Sequence, residues 1–177
     1  MKPPVILYLG GGRSGKSWLA HQEALTYGGE RGFLATAPRG LDEEMDDRIR
    51  RHRLERGTSF RTWEEELDPA ALIRTLSPMP SVVLLDCLSV WLGNLFHHGR
   101  TRGELCPEID GLLCLIEEPP CPLILVSNEV GLGLIPEHPL GRAYRDLAGR
   151  VNREVAARAN RVLFVVAGLT MVVKEAW

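Results

Sequence analysis

Cysteine is scarce. The four residues Cys87, Cys106, Cys114 and Cys121 are too few for a disulfide scaffold in a chain of 177, and no C-x-x-C pair or suitably spaced histidine marks a zinc site. They read as reduced thiols, mostly buried. An excess of charge is also missing: 21 basic residues face 23 acidic ones, a formal charge of −2. No global field draws the chain to nucleic acid or to an anionic membrane, so any anion site must be local. No stretch approaches the roughly 18 uninterrupted apolar residues of a membrane helix. The N-terminal apolar run ends in a glycine-rich turn and not in a signal-peptide cleavage region. The expectation is a cytoplasmic protein with no membrane span and no nucleic-acid partner. Finally, no N-K-x-D string occurs, which argues against a guanine-reading regulatory switch.

What is present is the composition of an ordinary globular chain, 45% hydrophobic and 25% charged, of a length that suits one domain over residues 1–177. Short runs rich in Val, Leu and Ile alternate with segments of helical period, the pattern of an α/β fold with a mainly parallel central sheet flanked by helices. Candidate strands are Val5–Leu9, Gly32–Thr36, Val82–Asp86, Leu123–Ser127 and Arg161–Ala167. The clearest helix repeats apolar residues at Leu140, Tyr144, Leu147, Val151 and Val155, a stripe that should pack on the sheet. Proline-rich "LSPMPS" and "EEPPCP" read as loops. The polar, weakly periodic segment His97–Glu108 reads as the most mobile part of the chain.

"GGGRSGKS" fits G-x-x-x-x-G-K-[ST] and sits between a strand and a helical segment, where that motif cradles phosphates. Gly10, Gly11, Gly12, Arg13, Ser14 and Gly15 would wrap backbone N–H groups around phosphate oxygens, with Arg13 a possible extra cation. Lys16 would add a charge at the β- and γ-phosphates, and Ser17 would ligate Mg²⁺. A nucleoside triphosphate is the implied ligand. The second metal ligand expected of such a protein is a carboxylate closing a buried strand, and Asp86 after Val82–Leu85 supplies it. "DLAG" at Asp146 imitates a switch motif but falls inside the helical stripe, so it is read as accidental.

"DEEMDDRIRRHRLERG" spans Asp42–Gly57, with acidic residues first and arginines after, complementing a helix macrodipole, and with Gly57 suited to its end. Met45, Ile49, His52 and Arg56 share one face. Two readings stay open for His52: a packed histidine in a charged surface helix, or a nucleophile. Like-charge repulsion from Arg50, Arg51 and Arg53 favours a neutral imidazole, and the same cations would steer a triphosphate toward it. Attack on an α-phosphate would release pyrophosphate and leave a phosphoramidate.

These strings, together with "FLATA", "RTWEE", "LLDCLSVWLGNL", "SNEVGLGLIPE", "RDLAGRVN" and the terminal "VVAGL", resemble the bifunctional adenosylcobinamide kinase / adenosylcobinamide-phosphate guanylyltransferases of cobalamin synthesis. The similarity extends over almost the whole chain. It implies a P-loop NTPase-like fold, phosphorylation of adenosylcobinamide with GTP or ATP, and transfer of GMP from GTP through a guanylylated His52. It also implies that Gly10–Ser17 bind phosphates and that Ala35, Thr36, Ala37 and Arg50–Arg53 line the nucleotide site. Glu64 and Asp86 would sit in that site, and the active unit would be a homotrimer. The sequence departs from the family at Gly12, where alanine is usual, and in "PEHPLGR". Two alternatives remain at this stage: a P-loop kinase of another small alcohol, which would not need His52, and a nucleotide-binding regulatory module. No compact set of residues advertises a corrinoid pocket, which is expected at a subunit or loop boundary over His97–Glu108.

Overall fold

The structure is a computed structural model and describes residues 2–38 and 59–175. Seven strands form one sheet: β1 Val5–Gly10, β2 Arg31–Ala35, β3 Arg61–Glu64, β4 Val82–Asp86, β5 Leu123–Asn128, β6 Arg161–Val166 and β7 Leu169–Glu175. Five helices lie among the described residues: α1 Lys16–Leu25, α2 Pro69–Thr75, α3 Leu88–His97, α4 Pro107–Glu117 and α5 Pro139–Arg158. The strand order is β3-β2-β4-β5-β1-β6-β7. Every pairing is parallel except that of β6 with β7, so the first six strands all end at one edge.

Alternation along the strands divides the core into two layers. Val5, Leu7, Val83, Leu85, Leu123 and Leu125 face α2–α5, meeting Ile73, Trp91, Leu112, Leu147, Val151 and Val155. Ile6, Tyr8, Leu84, Ile124, Val126 and Val165 face the other way, against Ala20 and Ala24 of α1. Small residues on α1 let it lie close to the sheet. Its position is also held by charge: Tyr8 donates a hydrogen bond to Glu23, and the Arg161 guanidinium donates to Glu23 Oε1 at 3.0 Å. Burial and the adjacent Glu23 carboxylate together push the Tyr8 phenol's pKa upward.

Helix starts follow local chemistry. Asp68 accepts the Ala71 N–H at 2.9 Å and Pro69 opens α2, while α4 and α5 likewise begin at Pro107 and Pro139. The stripe on α5 is buried at Leu147, Val151 and Val155, but its first member, Leu140, is exposed. The stretch from His97 to Glu108 is ordinary helix at both ends, since His97 closes α3 and Pro107 opens α4. Between them Thr101 is buried and donates to Glu104 O at 2.6 Å, closing a compact turn.

Two strands escape the sequence reading. β3 is a four-residue edge strand with little apolar character, and β7 is exposed along nearly its whole length. β6 stops one residue short of the expected end, at Val166. Ala167 and Gly168 then take positive φ, 51° and 79°, and turn the chain back as a hairpin. A mainly parallel sheet therefore carries one antiparallel edge.

Candidate active site at the carboxyl edge of the sheet

Gly10 ends β1 and the chain wraps directly into α1, with Arg13 at φ 58° and Gly15 at φ 94° making the bend. Three carbonyls of this loop are engaged. Gly10 O accepts the Glu129 N–H at 3.0 Å, Ser14 O accepts the Gly168 N–H at 2.9 Å, and Gly11 O accepts both the Ser14 N–H at 3.3 Å and the Lys16 ammonium at 3.0 Å. With these carbonyls engaged, the loop N–H groups other than that of Ser14 suit an anion, toward which the amino end of α1 adds a partial positive charge. That is an anion cradle.

Gly10 itself is required sterically. A Cβ there would lie 2.4 Å from Val165 O and 2.7 Å from Ser14 Oγ. Gly12 has nothing within 4 Å of such a Cβ, so an alanine would fit there.

Across the cradle, Ser17 Oγ donates to Asp86 Oδ1 at 3.3 Å. Asp86 ends β4 and pairs in register with Ala35, which in turn pairs with Glu64 at the end of β3. Hence Glu64, Ala35 and Asp86 form a row along the same edge as the P-loop. A hydroxyl and a carboxylate side by side suit Mg²⁺, which Ser17 and Asp86 would hold against the phosphates. Thr36 is fully buried. Its hydroxyl donates to Cys87 O at 2.8 Å and accepts the Cys87 N–H at 3.0 Å, and its carbonyl accepts from Asn94 at 2.7 Å. Thr36 thus ties the ends of β2 and β4 together and fixes the chain on both sides of Asp86. Ala37 follows it, half-buried. Burial, with the Asp86 carboxylate adding to it, pushes the Cys87 thiol up to about 11, so it stays protonated and unreactive at neutral pH.

Arg50, Arg51, His52 and Arg53 lie outside the described residues. Asp146 is an exposed residue within α5, so its "DLAG" is helix and not a switch loop.

Sequence reasoning missed a polar network beside β5. Ser127 Oγ donates to Asn152 Oδ1 at 2.7 Å, Ser89 Oγ lies 3.4 Å from Ser127 Oγ and accepts the Asn128 N–H at 2.6 Å, and Asn152 donates to Asn128 O at 3.1 Å. Tyr144 closes the group by donating to Ser89 O at 2.9 Å. The network locks the end of β5, and through Glu129 the first residue of the cradle. Serine and asparagine have no periodic signature. The only signal was that they fall within "LLDCLSV", "SNEVG" and "RDLAGRVN".

The sequence profile of the cobinamide kinase / cobinamide phosphate guanyltransferase family matches residues 6–173. The chain belongs to this family. It is 44% identical to the bifunctional adenosylcobalamin biosynthesis protein CobP of Pseudomonas aeruginosa, over 95% of this chain and 96% of that protein. It is 37% identical to the bifunctional adenosylcobalamin biosynthesis protein CobU of Escherichia coli, over 96% and 99% of the two chains. Solved structures that share its fold include the flagellar accessory protein FlaH from Methanocaldococcus jannaschii, with a TM-score of 0.54 at 14% identity over 99% of this chain and 80% of that one. A type III secretion system ATPase has a TM-score of 0.53 at 11% identity, over 97% and 57%. The fold is that of the P-loop NTPases, and the chain is a kinase and guanylyltransferase of cobinamide by family.

Proposed function

We propose that this enzyme phosphorylates the aminopropanol hydroxyl of adenosylcobinamide and then transfers GMP from GTP, through His52, to give adenosylcobinamide-GDP. GTP serves both steps, and ATP can replace it as phosphoryl donor. The observation that carries this reading is the cradle of Gly10–Ser17 closed by Asp86 at 3.3 Å from Ser17 in a chain of this family.

In the first step the alcohol oxygen bonds to the γ-phosphorus, and the bond from that phosphorus to the β–γ bridging oxygen breaks. The nucleoside diphosphate leaves and the hydroxyl proton passes to solvent, while Lys16 and the loop N–H groups take up the charge that gathers on the β- and γ-phosphates. Ser17 and Asp86 would hold Mg²⁺, which neutralises phosphate charge when bound. In the second step a nitrogen of His52 bonds to the α-phosphorus of GTP, and the bond from that phosphorus to the bridging oxygen breaks. Pyrophosphate leaves, and the imidazole gives up its proton. The phosphate of adenosylcobinamide-phosphate then displaces the imidazole. Ala35, Thr36, Ala37, Arg50, Arg51, Arg53 and Glu64 surround the nucleotide in this reading.

Association into a homotrimer is supported by edge strand β7, where Leu169, Met171, Val172 and Val173 are exposed beside Val166. An apolar, unpaired edge of this kind is ordinarily covered by a partner. A cytoplasmic location fits the absence, among the described residues, of any helix long and apolar enough to cross a membrane.

The deciding assay supplies adenosylcobinamide, GTP and Mg²⁺ and follows the corrinoid products by mass. Adenosylcobinamide-GDP with release of pyrophosphate is expected. Accumulation of adenosylcobinamide-phosphate alone, with GTP in excess, would reduce the enzyme to a kinase.

A further inference from the structure

β5 delivers more than Glu129 to the edge of the site. Immediately after the residue whose N–H bonds Gly10, the chain enters a loop over residues 130–138 that ends where α5 begins at Pro139. Within it Leu132, Leu134 and Ile135 are 81%, 95% and 67% exposed. The loop is nevertheless held at both ends. Glu129 Oε1 accepts the Gly131 N–H at 2.5 Å at its start, and the Arg142 guanidinium donates to Pro136 O at 3.0 Å and to Glu137 O at 2.5 Å at its finish. Three large aliphatic side chains are thus presented to solvent on a tethered loop, and Leu140 adds a fourth on the first turn of α5. Tethering without burial is what a binding surface requires, since it lowers the cost of ordering the loop on contact.

We infer that Leu132, Leu134 and Ile135 form the platform for the apolar face of the corrin macrocycle. The assignment rests on the corrinoid being the substrate. The acceptor hydroxyl must reach a phosphorus held by Gly10–Ser17, while the bulk of so large a substrate has to rest outside the cradle. This loop leaves the sheet one residue beyond a direct hydrogen bond to the cradle, on the edge where the phosphates are held. Its aliphatic surface matches an apolar ring face and offers no charge that would compete with the nucleotide. The segment 97–108, expected from sequence to cover the corrinoid, meets α5 where Gly103 lies beside Ala143, four residues after the loop ends at Pro139.

The test is the full-length double variant Leu132→Asn/Leu134→Asn, beside Leu132→Met/Leu134→Met, with adenosylcobinamide itself as the probe. Equilibrium binding followed by corrinoid absorbance should weaken about tenfold or more in the asparagine variant and recover in the methionine variant. Affinity for GTP and sedimentation mass should not change. Unchanged corrinoid affinity in the asparagine variant would overturn the platform. So would a fall in sedimentation mass, which would give the leucines to a second copy of the chain. A wild-type protein that fails to bind adenosylcobinamide overturns the platform together with the substrate. One that binds but does not transfer GMP contradicts the bifunctional reading alone, and the variant comparison then still decides the platform.

Discussion

Ser17 Oγ and Asp86 Oδ1 are 3.3 Å apart, although 69 residues separate them in the chain. β1 and β4 do not touch in the sheet, because β5 lies between them, so the pair is assembled by the sheet as a whole. Replacing the carboxylate should remove the negative charge that Asp86 would offer to Mg²⁺ while keeping the shape. Asp86→Asn is expected to lower Mg²⁺-dependent turnover of both steps by about a hundredfold or more. Steady-state kinetics across a Mg²⁺ titration check it. Wild-type turnover would remove Asp86 from the site.

Lys16 is buried, with its ammonium 3.0 Å from Gly11 O, so it is placed before any nucleotide arrives. Lys16→Ala should abolish kinase turnover and severely weaken GMP transfer, because charge that develops on the transferring phosphates loses its counter-charge. Coupled assays of the two steps, run separately, measure this.

Gly10 and Gly12 should respond oppositely to the same methyl group. Gly10→Ala forces a carbon onto the Val165 carbonyl, which the sheet holds in place, and should cost at least about 1–3 kcal/mol. Gly12→Ala meets nothing, and should leave stability unchanged or raise it by up to about 1 kcal/mol by restricting the unfolded chain. Urea denaturation of the two variants gives the comparison.

Alkaline pH should weaken the fold. Burial pushes the Cys87 and Cys121 thiols up to about 11 from an ordinary 9.0, and Tyr144 up to about 12. Each holds its proton more tightly when folded. Above about pH 9 the unfolded chain releases protons that the native state keeps, so stability is complete below that pH and falls as pH rises toward 11. The urea midpoint should therefore decline between pH 9 and 11, and decline less in a Cys87→Ala/Cys121→Ala variant. Equal slopes in the two proteins would contradict this.

The parts of this molecule that could be read from sequence were those where one residue type has one use. Val82–Asp86 was legible because a strand buried on both faces must be apolar throughout, and the P-loop because its spacing follows from phosphate geometry. β3 was not legible, since "RTWE" at an edge has only Trp63 partly buried. β7 was hidden for a related reason: its apolar residues are exposed, so no buried face imposes a period. Asn152, Ser127 and Ser89 act through a geometry that only the packing of α5 and α3 on β5 creates. Thr36 was placed at the nucleotide from family likeness, and the structure adds what sequence could not, that its hydroxyl is committed to Cys87.

The central claim is that GMP passes through His52, and an intact-mass measurement after incubation of the pure protein with GTP and Mg²⁺ tests it most directly. One GMP per chain should be added, stable in alkali and lost in mild acid, as a P–N bond requires. His52→Ala should show no adduct and no GMP transfer, yet still phosphorylate adenosylcobinamide, because that step needs Lys16 and positioning but no covalent intermediate. An adduct that persists in His52→Ala, or one that survives acid and is cleaved by alkali, would contradict the account.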